Sequence, residues 1–339
     1  MTKVYIALKP FNNKVFYKNA ILKDNSENGS HYLIAAKKLL SKSNIILNTI
    51  DQDNDRYTKK DIYMDVPYPW EVNFWFRIIK NNSKSILFIV EPPIVNPFNH
   101  MRIFHFPFSK IYTQNDSWVD DWRYFKFFLP KILSGERSKP IPFKNKKLLI
   151  LMNGNLTPFL PFRLLSLSTK ELYTERIKAI NFFDTNYPED FQLYGRGWNK
   201  PQRFNILQGL LGYKKYKTYQ GKFLQKDKYK ILSKFRFSLC FENCETIGYV
   251  SEKIIDCFKA RCVPVYLGAP DINDHISPKC FIDYRKFNSF KQLAEYLESM
   301  NEQTYNTYIK EIDKFLSSEQ FLNNWTSKAF AKTFLKAVN

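Results

Sequence analysis

Residues 235–284 read FRFSLCFENCETIGYVSEKIIDCFKARCVPVYLGAPDINDHISPKCFIDY, and their hydrophobic period changes repeatedly along the way. FRFSLCF is a short, nearly continuous apolar run of the kind buried on both faces of a sheet. It ends at Phe241-Glu242-Asn243, a polar loop follows to Gly248, and a helix is expected to begin near Tyr249. Along that helix Val250, Ile254, Cys257 and Phe258 fall on one face at the i, i+4, i+7, i+8 spacing. The pattern leaves Glu252, Asp256 and Lys259 away from the core and Lys253 near its edge. VPVYLG then supplies a second strand and CFIDY a third. Strand, helix and strand in this order form a βαβ unit, whose crossover demands a parallel sheet.

The same alternation continues outward. Upstream lie the strand KLLILM, a helix in TKELYTERIKAINFF, a strand in FQLYGRGW and a helix near KDKYKILSKF, and downstream a helix in SFKQLAEYLESM. Residues 135–147, GERSKPIPFKNKK, break the pattern with glycine, prolines and charge, as an exposed linker does. Before them KVYIAL, HYLIAAKKLLSK, NIILNTI, WEVNFWFRIIKN, SILFIV and KIYTQ repeat the strand and helix alternation. Two α/β domains are expected, over 1–140 and 146–300. Helices over 302–317 and 320–336, within 301–339, are expected to brace them.

Composition agrees with this scale. At 339 residues, 44% hydrophobic, the chain has enough apolar material for two cores. Lys and Arg exceed Asp and Glu by 52 to 32, giving a formal charge of +20 that suits a polyanionic surface or a phosphate-bearing ligand. No apolar run reaches the ~18 residues of a spanning helix, and MTKVYIALKPF lacks the features of a signal peptide. The expected setting is cytoplasmic, peripheral to an inner membrane at most. Cys240, Cys244, Cys257, Cys262 and Cys280 are read as buried thiols of a reducing compartment. Cys240 and Cys244 have no second spaced pair or nearby histidine to complete a zinc site.

In open α/β sheets ligands gather at the carboxyl ends of strands, so chemistry is sought there. Glu252 and Lys253 fall on the first turn of their helix, beside the amides a helix start leaves unpaired. Those amides with a lysine suit phosphate oxygens, and the carboxylate suits sugar hydroxyls. A solvated Glu beside a surface Lys is the plain alternative. In the helix near 169–183, Arg176 stands between Leu172 and Ile180 on the apolar stripe, so its guanidinium requires a paired anion, either a structural carboxylate or a ligand. In the first half, SILFIV stops at Glu91-Pro92-Pro93. A carboxylate at the end of a buried strand is a candidate general base, or else the cap of the next helix.

The runs FENCETIGYVSEKI, CFKARCVPVYLGAPDI and CFIDYRKF resemble the donor-binding signature of the α-1,3/1,4-fucosyltransferases, glycosyltransferase family 10. The resemblance is dense over about 146–300, patchy over 84–125 and weak before that. It implies the GT-B fold, two Rossmann-like domains facing across a cleft, and an inverting, metal-independent transfer of fucose from GDP-fucose to a glycan hydroxyl. The acceptor it implies is an oligosaccharide or glycolipid, with an α-1,3 linkage to N-acetylglucosamine or glucose of a bacterial or viral surface glycan. Carried over residue by residue, it makes Glu252 a ligand of ribose or sugar hydroxyls and Lys253 and Arg176 ligands of the diphosphate. Asn243 and Tyr249 would line the same pocket, and Glu91 would be the catalytic base. Ser251 stands where many relatives carry threonine, which keeps the hydroxyl.

Other features compete for a role. Asp51-Gln52-Asp53 and Asp53-Asn54-Asp55 satisfy the D-x-D pattern of metal-dependent glycosyltransferases, but in a polar turn remote from the donor domain. Residues 203–236 hold ten Lys or Arg against Asp227, an excess that would attract a diphosphate or an anionic lipid surface. His100 and His105 follow Glu91 and are candidates for acceptor contact. Rival readings are a transferase of another GDP-sugar and, from YKKYKTYQGKF, a single-strand nucleic-acid binder. No nucleic acid is expected as partner.

Overall fold

Two all-parallel sheets organise the chain, one in each of two units. In the computed structural model residues 2–8, 17–23, 31–53, 59–129, 137–201 and 213–339 are described. One unit comprises Met1–Ser134, Ile247–Tyr249 and Glu319–Asn339, the other Gly135–Thr246 and Val250–Ser318. Among the described residues no helix is long and apolar enough to cross a membrane.

The first sheet has the order β2-β1-β3-β4-β5-β6. Its strands are β1 (Thr2–Leu8), β2 (Ile45–Thr49), β3 (Lys59–Met64), β4 (Ser85–Phe88), β5 (Lys110–Thr113) and β6 (Tyr124–Lys126). The chain winds outward to β2 and returns to the other side of β1, which puts a topological switch point between β1 and β3. Val4, Ile62, Ile86 and Phe88 of the strands, Leu33 and Leu40 of the His31–Lys42 helix, and Phe330 and Phe334 of the Ser327–Val338 helix share one core. Phe88 stacks on Tyr112 with ring centres 4.5 Å apart and on Phe334 at 5.5 Å.

The segment 320–336 is two helices rather than one, Glu319–Asn324 and Ser327–Val338. The break is a cap: the Thr326 hydroxyl accepts the Ala329 N–H at 3.0 Å. Residues 301–339 thus divide, with the Glu302–Leu316 helix in the second unit and the Ser327–Val338 helix in the core of the first.

Strands β3 and β6 have no counterpart among the sequence expectations. KKDIYM opens with three charged residues, yet Asp61 is fully buried. Its carboxylate accepts Arg77 Nε at 2.8 Å, Arg77 Nη2 at 2.7 Å and Asn81 Nδ2 at 3.0 Å. The WEVNFWFRIIKN run, a helix over Val72–Lys80, supplies the arginine, so a central strand tolerates a charge that would be severely destabilising unpaired.

The second sheet has the order β11-β10-β9-β7-β8. Its strands are β7 (Lys147–Met152), β8 (Phe191–Tyr194), β9 (Phe235–Phe241), β10 (Val263–Leu267) and β11 (Ile282–Asp283). Every predicted strand of this half is present, and the order reverses between β7 and β9. Helices Tyr173–Asn186, Glu252–Lys259, Phe290–Ser299 and Glu302–Leu316 flank it. All five cysteines are free, buried thiols, as expected.

Candidate active site

β9 is buried along nearly its whole length and delivers Glu242, itself fully buried, just past its carboxyl end. Glu242 Oε1 accepts the Ser251 N–H at 2.7 Å, and Oε2 accepts the Ser251 hydroxyl at 2.6 Å and Lys253 Nζ at 2.8 Å. Lys253 Nζ also donates to Ser251 Oγ at 3.0 Å, closing a triangle of carboxylate, hydroxyl and ammonium. The helix therefore starts at Glu252 rather than near Tyr249, with Ser251 as its N-cap. Burial pulls the Lys253 ammonium down, but the Glu242 and Glu252 carboxylates outweigh it, and the net shift is upward. Lys253 is a fixed cation. Gly268 makes the triangle possible: a Cβ there would stand 2.5 Å from Glu242 Cγ and 2.5 Å from the Tyr266 hydroxyl.

A cavity of about 570 Å³ opens beside this triangle, within the second unit. It is lined by Asn153 and Gly154 after β7, by Arg196 after β8, by Lys222, and by Glu252 and Lys253. This is the switch point of the sheet, where an open α/β fold takes its ligand. Lys228 and Asp256 also line it and form an ion pair, and the Tyr229 hydroxyl donates to Asp256 Oδ1 at 3.0 Å. Asp256 and Lys259 are buried, which corrects the expectation that they lie away from the core. The short helix Lys228–Leu232 packs across that face and compensates both, Lys259 Nζ lying 4.8 Å from the Tyr229 ring centre. Of the basic stretch 203–236, residues 203–212 lie outside the described residues, while Lys222 and Lys228 reach the cavity.

Arg176 is buried on the Tyr173–Asn186 helix, as its place in the apolar stripe predicts. Its partners differ from the expected anion. Nη2 donates to the carbonyls of Phe241 at 3.0 Å and Glu242 at 2.8 Å and lies 3.4 Å from Asn243 Oδ1. Nε has no hydrogen-bond partner among the described residues, and burial lowers the pKa of the group. The loop that meets it is fastened to the start of the same helix, through Leu172 N to Asn243 O at 3.0 Å and Glu245 N to Lys170 O at 2.9 Å. Arg176 and Asn243 thus sit behind the strand end, not on the cavity wall. Tyr249 is buried and groups with the first unit. Its neighbour Gly248, at φ 72°, is held so close that a Cβ would stand 1.8 Å from the Gln114 carbonyl oxygen.

Glu91 lies three residues beyond the end of β4, in the first unit. Its main chain is held from both sides. Asp65, just after β3 at φ 82°, is buried, and its Oδ1 accepts the N–H of Val90 at 2.7 Å, the N–H of Glu91 at 2.9 Å and Asn99 Nδ2 at 2.6 Å. The Glu91 carbonyl accepts Asn99 Nδ2 at 3.0 Å and faces His100 Nε2 at 3.2 Å. His105 is fully buried between the Tyr124 hydroxyl at 3.1 Å and the Asn99 carbonyl at 2.9 Å, so it is a core residue and not an acceptor contact. Burial lowers the pKa of both histidines to about 4. In the polar turn, Asp51 Oδ2 accepts the Lys18 N–H at 2.7 Å and Asp53 pairs with Arg77 at 2.7 Å, while residues 54 and 55 lie outside the described residues.

Sequence reasoning thus misses the residues that hold its candidates in place. Glu242, a carboxylate directly after an apolar strand, and Gly268, a glycine directly after the next, carried that signal. Asp65 follows β3, which had itself gone unread.

Residues 191–334 match the family model "Glycosyltransferase family 10 (fucosyltransferase) C-term". A 76-residue segment, 22% of this chain, is 37% identical to an α-(1,3)-fucosyltransferase, FucT, of Helicobacter pylori and spans 16% of that protein. A 71-residue segment, 21% of this chain, is 34% identical to an α-(1,4)-fucosyltransferase of Arabidopsis thaliana and spans 18% of that protein. The chain therefore matches under a fifth of the length of these curated relatives. Over 99% of this chain and 89% of the other, the fold is similar to a crystal structure of α1,3-fucosyltransferase with GDP-fucose, at a TM-score of 0.56 and 17% identity. The two parallel sheets with C-terminal helices are a GT-B fold.

Proposed function

We propose that this chain, whose residues 191–334 match the C-terminal model of glycosyltransferase family 10, is an inverting fucosyltransferase that moves fucose from GDP-fucose to a glycan hydroxyl. The observation that carries this reading is the cavity of the second unit, where the Ser251-Glu252-Lys253 run contributes Glu252 and Lys253 to the wall. Lys253, Arg196 and Lys222 give it the positive lining a diphosphate needs, and Glu252 offers a carboxylate to ribose or sugar hydroxyls. A volume near 570 Å³ suits a sugar nucleotide.

In the proposed reaction Glu91 takes the proton of the acceptor hydroxyl as its oxygen attacks the anomeric carbon. The bond to the diphosphate breaks with inversion, and GDP leaves with the charge. Lys253 meets that charge directly. Arg176 acts from behind the strand end, its unpartnered Nε–H and its buried positive charge both favouring an anion in front of it. Asn243 backs the donor pocket through Arg176 in this reading, and the acceptor is an oligosaccharide or glycolipid. The cations are side chains, so transfer is expected to persist in EDTA.

The test is nucleotide selectivity followed by turnover. GDP and GDP-fucose should raise the melting temperature while UDP and CMP leave it unchanged, because a ligand that binds only the folded state stabilises it by mass action. An equal shift with UDP-sugars would sink the donor assignment. GDP release from GDP-fucose against a panel of terminal disaccharides then identifies the acceptor.

A further inference from the structure

The first unit leaves a set of large apolar side chains in water: Trp70, Phe76, Ile79, Ile103, Phe106 and Trp122 are 61% to 83% exposed. A ring network links the segments that carry them. The Trp70 ring meets Phe98 at 6.0 Å, Phe98 meets Phe104 at 5.3 Å, and Phe104 meets Trp75 at 5.8 Å. The Val72–Lys80 helix and the turn Arg102–His105 therefore share an aromatic floor. Arg123 Nη2, donating to the Phe106 carbonyl at 3.1 Å, ties Trp122 to its edge. On this helix Ile78 is buried and Arg77 reaches Asp61, so Phe76 and Ile79 occupy a face that a surface helix normally gives to polar residues. Monomeric proteins rarely expose a contiguous apolar face of this kind without a partner for it.

Its rim is cationic. Lys80 and Arg102 stand exposed on these segments with Lys84 half-buried beside them, while Arg77 is spent on Asp61 and Asp53, and Glu71 at the head of the helix accepts the Tyr68 N–H at 2.6 Å. Beyond Trp122 stand Asp120 and Asp121, and Asp120 Oδ1 is taken up by the N–H groups of Trp122, Arg123 and Tyr124. Aromatic and aliphatic side chains rimmed by Lys and Arg match an anionic bilayer, where the rings enter the headgroup region and the cations meet phosphates. The second unit also exposes leucines, at 156, 160, 164 and 167, but Arg163 and Lys170 beside them face Glu171 at 3.8 Å and Glu245 at 2.7 Å. That stretch has no comparable charge to offer headgroups, and Leu156 lines the cavity already described.

We infer that the face formed by the Val72–Lys80 helix, the Arg102–His105 turn and Trp122 docks on an anionic lipid bilayer, and that the acceptor is a glycan borne on lipid in that surface. Residues 91–108 link the two roles: His100, directly before Met101-Arg102-Ile103 at the patch, lies 3.2 Å from the Glu91 carbonyl. The acceptor class rests on the reading of Glu91 as base; the docking does not.

Flotation with vesicles of phosphatidylcholine alone and of equal parts phosphatidylcholine and phosphatidylglycerol tests the docking. The protein should float with the anionic vesicles only, and added salt should release it. The triple variant Trp70→Ser, Phe76→Ser, Phe106→Ser, and separately Lys80→Glu with Arg102→Glu, should lower the bound fraction by about tenfold or more while keeping the parent's thermal shift with GDP. On one oligosaccharide offered free and lipid-linked in those vesicles, the variants should lose transfer to the lipid-linked form alone. A parent that stays unbound, variants that float like the parent, or a parent dimer in sedimentation that the triple variant dissolves would overturn the docking. Equal loss on both acceptors would overturn the acceptor class. Undiminished transfer by Glu91→Gln would instead undo the base assignment and leave vesicle binding untouched.

Discussion

The strand ends after β4 and after β9 both present a glutamate and a polar web, but the webs grip different things. After β9 the buried Glu242 carboxylate holds a side chain, the Lys253 ammonium, and with it the first turn of a helix. After β4 the side chains of Asp65 and Asn99 hold main chain, the N–H and carbonyl of Glu91. The first arrangement fixes a charge and the second fixes a position. A leaving diphosphate calls for a cation that does not titrate, whereas a base must be aimed by its backbone and still be able to take a proton.

The strongest test of that contrast is Glu91→Gln. Transfer should fall by about 10²–10⁴ with GDP affinity nearly unchanged by calorimetry, the range for a lost general base. A matching loss of GDP binding would mean the two strand ends do not divide the work.

Lys253→Ala should lower transfer by roughly 10² and weaken GDP as well. It also strands the Glu242 carboxylate, at a cost of about 3–5 kcal/mol, the scale for breaking a buried pair. Glu242→Gln with Lys253→Met should return most of the lost melting temperature but none of the transfer. Recovery of both would show that the pair is scaffolding only.

Asp65→Ala removes the acceptor that holds the Glu91 main chain and places a non-glycine side chain without local compensation at φ 82°. A fall of about tenfold in kcat, with GDP affinity intact, is expected from misaiming a base. Asp65→Asn keeps Oδ1 and tolerates the left-handed conformation, so it should restore most of the rate. An Asn variant as poor as the Ala variant would point to the charge rather than the hydrogen bonds.

The smallest effect concerns acid. The unfolded chain protonates a histidine near pH 6.5, while burial keeps His100 and His105 neutral in the fold down to about 4. In that window the unfolded state binds more protons, so stability rises with pH and is lost as pH falls from 6.5 through 4, by up to about 3 kcal/mol for His105. Trp118, whose ring centre lies 5.7 Å from both imidazoles, reports it by fluorescence. The His105→Asn variant should flatten the slope; an unchanged slope would place the titration elsewhere.

The same asymmetry decided what the sequence made legible. β7, β9 and β10 are runs of buried apolar residues, and period alone finds them. β3 hides because its charged groups are partnered by distant residues, Asp61 paired with Arg77 and Lys60 hydrogen-bonded to the Val338 carbonyl. Arg176 and Lys253 were visible as charges against apolar stripes. Their partners were not, since backbone carbonyls and a glutamate eleven residues upstream become neighbours only through folding. The Asp65 web was illegible for the same reason as the strand that carries it.

One feature of the core bears on how the chain comes off the ribosome. The Ser327–Val338 helix packs Phe330 and Phe334 among Leu33, Ile62 and Phe88, and Lys60 finds its acceptor 278 positions downstream. The first unit therefore cannot close its core during synthesis of its own strands. The second unit's sheet, complete by Asp283, is free to form while the first still waits. The half that is translated first is the half that finishes last, and its apolar strands are the ones a nascent-chain chaperone would have to shield in the interval.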